Sequence, residues 1–166
     1  MPARASTFPT LAEVLELVAG RLAVYCELKA TPGDSEHDAA LVDAVLATLG
    51  EHDALAWSGI HSFDVAIVER ARANQPRLSA AIISPPVFRR RCAAVVLAAA
   101  LKRGCQAISV HHMGVDADLV RDVHRRQLTL WTWTPDDEAE WRRLAGLGVD
   151  GIITNYPSRL RKVLTP

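Results

Sequence analysis

The apolar positions of this chain alternate between two periods. Leu11, Val14, Leu15 and Val18 recur at helical spacing behind a capping pattern, Thr10 with Glu13, in which each residue can satisfy an unpaired amide of the other. Gly20 stands where such a helix would stop. A short apolar strand over 22–29 comes next, then a turn-rich loop over 31–35 in which Pro32, Gly33 and Asp34 each favour turn geometry. The alternation then repeats. Helices are predicted over 36–49, 63–74, from Pro85 and Pro86 to about 103, over 116–126 and 136–147, and after Pro157. Strands are predicted between them at 54–60, 78–83, 107–110, 128–133 and 151–154.

Short apolar strands separated by helices, about 25 residues from one strand to the next, predict a parallel sheet with helical crossovers. Counting the strand at 22–29, there are six. No linker-like or low-complexity stretch interrupts the pattern, so residues 1–166 are expected to form one domain.

Composition narrows the setting. With 49% hydrophobic and 23% charged residues, the 166-residue chain has the apolar content of a globular domain with a core, which argues against disorder. Nineteen basic residues balance nineteen acidic ones, so no overall field draws the chain to nucleic acid or to an anionic membrane, and any anion must be held locally. The longest apolar run, 93–101, is far short of the roughly 20 residues of a membrane span, and residues 1–7 show no apolar signal-peptide core. Cys26, Cys92 and Cys105 are odd in number and lack metal-binding spacing, which suits reduced thiols in a cytoplasmic protein.

Chemistry in parallel α/β folds gathers at the carboxyl ends of the strands. There the sequence places Glu27 and Lys29, then His61 and Ser62, Ser84, Ser109 to His112, Trp131 and Trp133, and Asn155 with Tyr156. Alternation puts Tyr25, Glu27 and Lys29 on one face of their strand, opposite Cys26 and Leu28. Two readings of the Glu27–Lys29 pair follow. One is a mutual salt bridge at a solvated strand end. The other is a carboxylate for a hard cation beside an amine for an anionic oxygen such as a phosphate. His61, His111 and His112 are candidate acids or bases, whereas His37, His52 and His124 fall in or beside helices and are expected to be solvated. The run Arg89, Arg90 and Arg91 opens a helix and is either a phosphate catch or a solvated face.

Several segments together resemble the glycerophosphodiester phosphodiesterase family. Residues 8–15, FPTLAEVL, are similar to its IPTLEEVL helix start, and 26–29, CELK, to its IEIK strand. Residues 62–64, SFD, resemble its SFD, 130–134, LWTWT, its WTV segment, and 148–157, GVDGIITNYP, its closing GVDGIITDYP. The resemblance implies an incomplete (βα)8 TIM-type barrel with about six parallel strands, and hydrolysis of glycerophosphodiesters to glycerol 3-phosphate and an alcohol with a divalent cation, Mg or Ca. It assigns Glu27 to the metal, Lys29 to the substrate phosphate and Trp133 to the mouth of the site.

The departures from that family are specific. It opens on a strand carrying H-R-G, then an E-x-D pair of metal ligands and a histidine–aspartate pair, whereas residues 1–26 here contain neither histidine nor aspartate. Pro135 and Asp136 stand where the family has Val-Asn. The expectation is therefore the C-terminal part of such a barrel, inactive or weak as this chain alone, with open sheet edges as a route to self-association. Two alternatives accompany it: a non-catalytic partial barrel that binds a small phosphate ligand or serves assembly, and an unrelated phosphate-binding barrel enzyme. His37, with Asp34 and Glu36 on the following loop, is a candidate for a rebuilt metal site.

Overall fold

The computed structural model describes residues 8–85 and 90–165, apart from the side chains of residues 90–93. The arginine run 89–91 therefore lies outside the described side chains. Helix α1 (Leu11–Val18) opens the described chain, and its capping box is formed: Glu13 N donates to Thr10 Oγ1, while the Glu13 carboxylate accepts from Thr10 N at 2.7 Å. Ala19 ends the helix in the left-handed region, one residue before the expected Gly20.

Strand and helix then alternate through β1 (Val24–Glu27), α2 (Ser35–Glu51), β2 (Ser58–Ser62), α3 (Val65–Asn74), β3 (Ser79–Ile83) and α4 (Arg90–Lys102). The chain continues through β4 (Ala107–His111), α5 (Ala117–His124), β5 (Thr129–Trp133), α6 (Glu138–Leu147), β6 (Gly151–Ile153) and α7 (Pro157–Leu164). Among the described residues the six strands form one sheet in the order β1-β2-β3-β4-β5-β6, every neighbouring pair parallel. This is a half-barrel with helical crossovers, as the alternation predicts. No helix among the described residues is long and apolar enough to cross a membrane.

Two strands differ from expectation by more than one residue at their ends. β1 is shorter than 22–29 and stops at Glu27, leaving Lys29 on the loop beyond it. β2 begins at Ser58 rather than at 54, because residues 54–57 form a turn closed by Ala54 N to Leu49 O and Trp57 N to Ala54 O. The apolar Ala54, Leu55 and Trp57 read as strand in sequence, yet Ala54 N bonds back to Leu49 O of the preceding helix and Trp57 N to Ala54 O within the turn.

The outer face of the sheet is the hydrophobic core. Ile60, Ala80, Ile82, Ile108, Val110 and Leu130 pack there against Val42 and Leu49 of α2, Ile67 and Val68 of α3, Val120 and Val123 of α5, and Leu144 of α6. The alternate residues line the concave inner face. Its amino-end layer holds Tyr25 and Trp131, whose rings meet edge-on at 4.6 Å between centroids. Two glycines make room for them. A Cβ on Gly59 would collide with the Tyr25 ring and stand 2.7 Å from the Ser79 carbonyl oxygen, and one on Gly151 would stand 2.8 Å from Trp131 Cδ1. Tyr25 Oη shares a hydrogen bond with Ser79 Oγ. Side chains of β1 and β5 thus touch across the concavity and give it a floor.

Candidate functional site

One step toward the carboxyl ends of the same strands, the inner face changes character. Glu27, His61, Phe63, Ser109, Trp133 and Ile153 line a cavity of about 200 Å³. Glu27 stands opposite His61 in the β1–β2 register. Glu27 also lines a neighbouring cleft of about 390 Å³ with Lys29, Phe63 and Asp64, so its carboxylate lies at the boundary of two depressions.

Lys29 reaches back from the loop to within 3.9 Å of Glu27 Oε1, with its side chain 80% exposed. The pair expected from the sequence is therefore brought together, with the amine on the solvent side and not within the concavity. Trp133 forms the opposite wall. Its ring meets Phe63 at 5.6 Å and His111 at 4.8 Å between centroids, both edge-on.

Local sequence explains how these groups are held. Ser62 Oγ donates to Leu28 O at 2.6 Å, tying the end of β2 to the end of β1, and Asp64 caps α3 by accepting from the amides of Ala66 and Ile67. The residue between them, Phe63, is thereby aimed at Trp133. At the other side, Asp136 accepts from Thr154 Oγ1 at 2.7 Å and from Asn155 N and Nδ2. Those hydrogen bonds, Asn155 first, hold its carboxyl below the usual range. The chain thus uses Asp136 to join the loops after β5 and β6.

The histidines separate. His61 lies within β2 and is only 9% exposed. Burial pulls its pKa down against the opposing pull of the Glu27 charge, so the ring is neutral at ordinary pH. It makes edge contacts with Tyr25 and Trp131 beneath it. His111 ends β4 beside Trp133, its pKa lowered by burial and then by His112. His112 turns away to Glu140 at 2.8 Å, and Arg143 binds the same carboxylate together with the carbonyls of His112 and Val115. The Arg143 guanidinium, with His112, holds the Glu140 carboxyl down at about 2. That network is a loop clamp away from the cavity.

Among the helix-associated histidines, His37 lies in the first turn of α2 and is exposed, as expected. His52 is not solvated: it is half-buried, bonded to Thr48 O and 3.7 Å from Glu16. His124 pairs with Asp150 at 2.9 Å.

The expected cation finds no fitting donor set here. Among the described residues no three or more His, Cys, Asp or Glu side chains are grouped to hold a metal ion, His37 with Asp34 and Glu36 included. Glu27 is a single carboxylate, too few donors by itself to hold a cation. Cys26 and Cys105 are free thiols whose pKa burial raises.

Sequence reasoning placed His61 after its strand and gave Ser109 and Phe63 no role of their own. The signal for His61 lies in the run 59–61, GIH: once β2 starts at Ser58, alternation puts His61 on the inner face with Gly59.

The model of the Glycerophosphoryl diester phosphodiesterase family matches residues 1–159. A glycerophosphodiester phosphodiesterase of Arabidopsis thaliana is 25% identical over 96% of this chain and 47% of its own length. Among solved structures, a candidate glycerophosphoryl diester phosphodiesterase from Silicibacter pomeroyi superposes with a TM-score of 0.82 at 30% identity, covering 94% of this chain and 56% of that one. A phosphodiesterase of Oleispira antarctica, solved with the product sn-glycerol-3-phosphate, superposes with a TM-score of 0.78 at 20% identity, covering 94% and 61%. The chain thus spans about half the length of the Arabidopsis relative and under two thirds of these solved chains.

Proposed function

Because the chain belongs to the glycerophosphoryl diester phosphodiesterase family, we propose that it serves the hydrolysis of a glycerophosphodiester to glycerol 3-phosphate and an alcohol. In this reading the half-barrel supplies ligand binding and has little or no turnover by itself. The observation that carries it is the meeting of Glu27, Lys29 and Trp133 at the carboxyl ends of β1 and β5, around connected depressions. The Lys29 ammonium, free to move at 80% exposure, holds a phosphoryl oxygen and offsets its charge. Trp133 and Phe63 wall the site and limit water access. A cation, in this reading, needs ligands beyond those the described residues bring together. Among the described residues the outer edges of β1 and β6 have no strand partner, and further strands or a second copy would cover them.

A second reading, a non-catalytic binding module, is favoured by the Tyr25–Trp131 floor, which gives the cavity a base built from this chain alone. Both readings require ligand binding, and neither expects family-like turnover from the chain alone. The test is calorimetric binding of glycerol 3-phosphate, run beside an assay of glycerophosphocholine cleavage. Binding that Lys29→Ala weakens about tenfold, the scale of one hydrogen bond to a charged group, is the expected result. No binding by the unaltered chain sinks the proposal. Family-like turnover abolished by Glu27→Ala would overturn the expectation of inactivity and the module reading together.

A further inference from the structure

The cavity wall carries polar atoms for which the protein provides no partner. His61 Nδ1, Ser109 Oγ and Trp133 Nε1 are buried and bond nothing among the described residues, and all three residues line the same cavity. Buried polar groups of this kind are uncommon and call for an explanation. Of the two imidazole nitrogens, Nδ1 is sealed and unpartnered, and Nε2 is not among the sealed atoms. A buried N–H without an acceptor is rarer in proteins than an under-used acceptor, so the ring proton belongs on Nε2.

The rest of the lining decides what such a donor meets. Phe63, Ile83, Trp133 and Ile153 are apolar or aromatic, and the charged group at the cavity is the Glu27 carboxylate. A phosphate placed there would lose its water and face a like charge. A hydroxyl-bearing carbon chain meets neither penalty, because a hydroxyl both accepts and donates. The volume, about 200 Å³, equals roughly seven water molecules at about 30 Å³ each, room for a short polyol. Lys29 lies on the far side of Glu27, in the neighbouring cleft.

We propose that the cavity is a polyol subsite in which His61 donates from Nε2 to a hydroxyl of the ligand's glycerol end and Glu27 accepts that hydroxyl's hydrogen bond, leaving the phosphate to Lys29. This rests on the reading of the chain as a glycerophosphodiester binder and adds which group goes where. His61 then contacts the ligand as a neutral donor, and no proton is transferred.

The experiment compares two ligands on the full chain by calorimetry: glycerol 3-phosphate, and propyl phosphate, which lacks both hydroxyls. The unaltered protein is expected to prefer glycerol 3-phosphate about tenfold, the scale of one buried hydrogen bond left unmade. His61→Gln, whose amide nitrogen falls near the place of Nε2, keeps the preference. His61→Leu loses it, and Lys29→Ala weakens both ligands alike. Equal binding of the two phosphates by the unaltered chain, or a preference that survives in a folded His61→Leu, overturns the subsite while leaving the proposed function standing. If the unaltered chain binds neither phosphate, both fall.

Discussion

The inner face of the half-barrel carries two layers built from the same strands two residues apart, and they differ in nearly every respect. The amino-end layer is filled: Tyr25 and Trp131 interlock over Gly59 and Gly151, and the tyrosine hydroxyl is paired with Ser79. The carboxyl-end layer is unfinished: Glu27, His61, Ser109 and Trp133 surround a cavity, and three buried polar atoms in it bond nothing among the described residues. One layer is packed for stability and the other withholds packing, which is how a site is set apart from the scaffold beneath it.

The largest effect that would break this contrast is steric. Gly59→Ala pushes a methyl group into the Tyr25 ring and the Ser79 carbonyl, and the backbone carbonyl has little room to yield. The expected loss is about 3 kcal/mol by urea unfolding, at the upper end for overpacking. A loss below about 1 kcal/mol would mean that the floor is looser than its contacts imply.

Acid should act next, through the clamp on the loop after β4. Glu140 is held at about 2, below the ordinary 4.5 of an unfolded glutamate. The folded state therefore binds fewer protons between those values. Its contribution is complete above pH 4.5 and is lost as the pH falls toward 2. With screening by solvent, the loss is expected to be about 1 to 2 kcal/mol. Unfolding curves across that range should show it, and Glu140→Gln should flatten that part of the profile.

The two smallest effects set the layers side by side. Ser79→Ala removes the partner of the half-buried Tyr25 hydroxyl and should cost about 1 kcal/mol. Ser109→Ala removes a fully buried hydroxyl that bonds nothing among the described residues and should cost no more than about 0.5 kcal/mol, or stabilise slightly. If Ser109→Ala proves the costlier of the two, the carboxyl-end layer is a structural part of the core and the contrast fails.

Much of this was legible in the chain because its signals are local. The Thr10–Glu13 box formed as expected, since capping depends on residues three apart. The six strands and their helical crossovers were legible from periodicity, which reports which face is buried without reference to partners. Asp64 and Asn155 lie in segments whose family resemblance was visible, but their roles, a helix cap and a link to Asp136, appear only once distant loops are adjacent.

What the sequence by itself determined is the alternation of parallel strands and helices, the family resemblance, and the pairing of Glu27 with Lys29 two residues on, because each is written in spacing along the chain. Only the tertiary structure decided that β2 begins four residues later than its apolar run, that His61 therefore turns inward, and that Tyr25 meets Trp131 across the concavity. A strand boundary is set by where backbone groups find partners. A contact between strands one and five is set by sheet curvature, and neither is a property of any short stretch of residues.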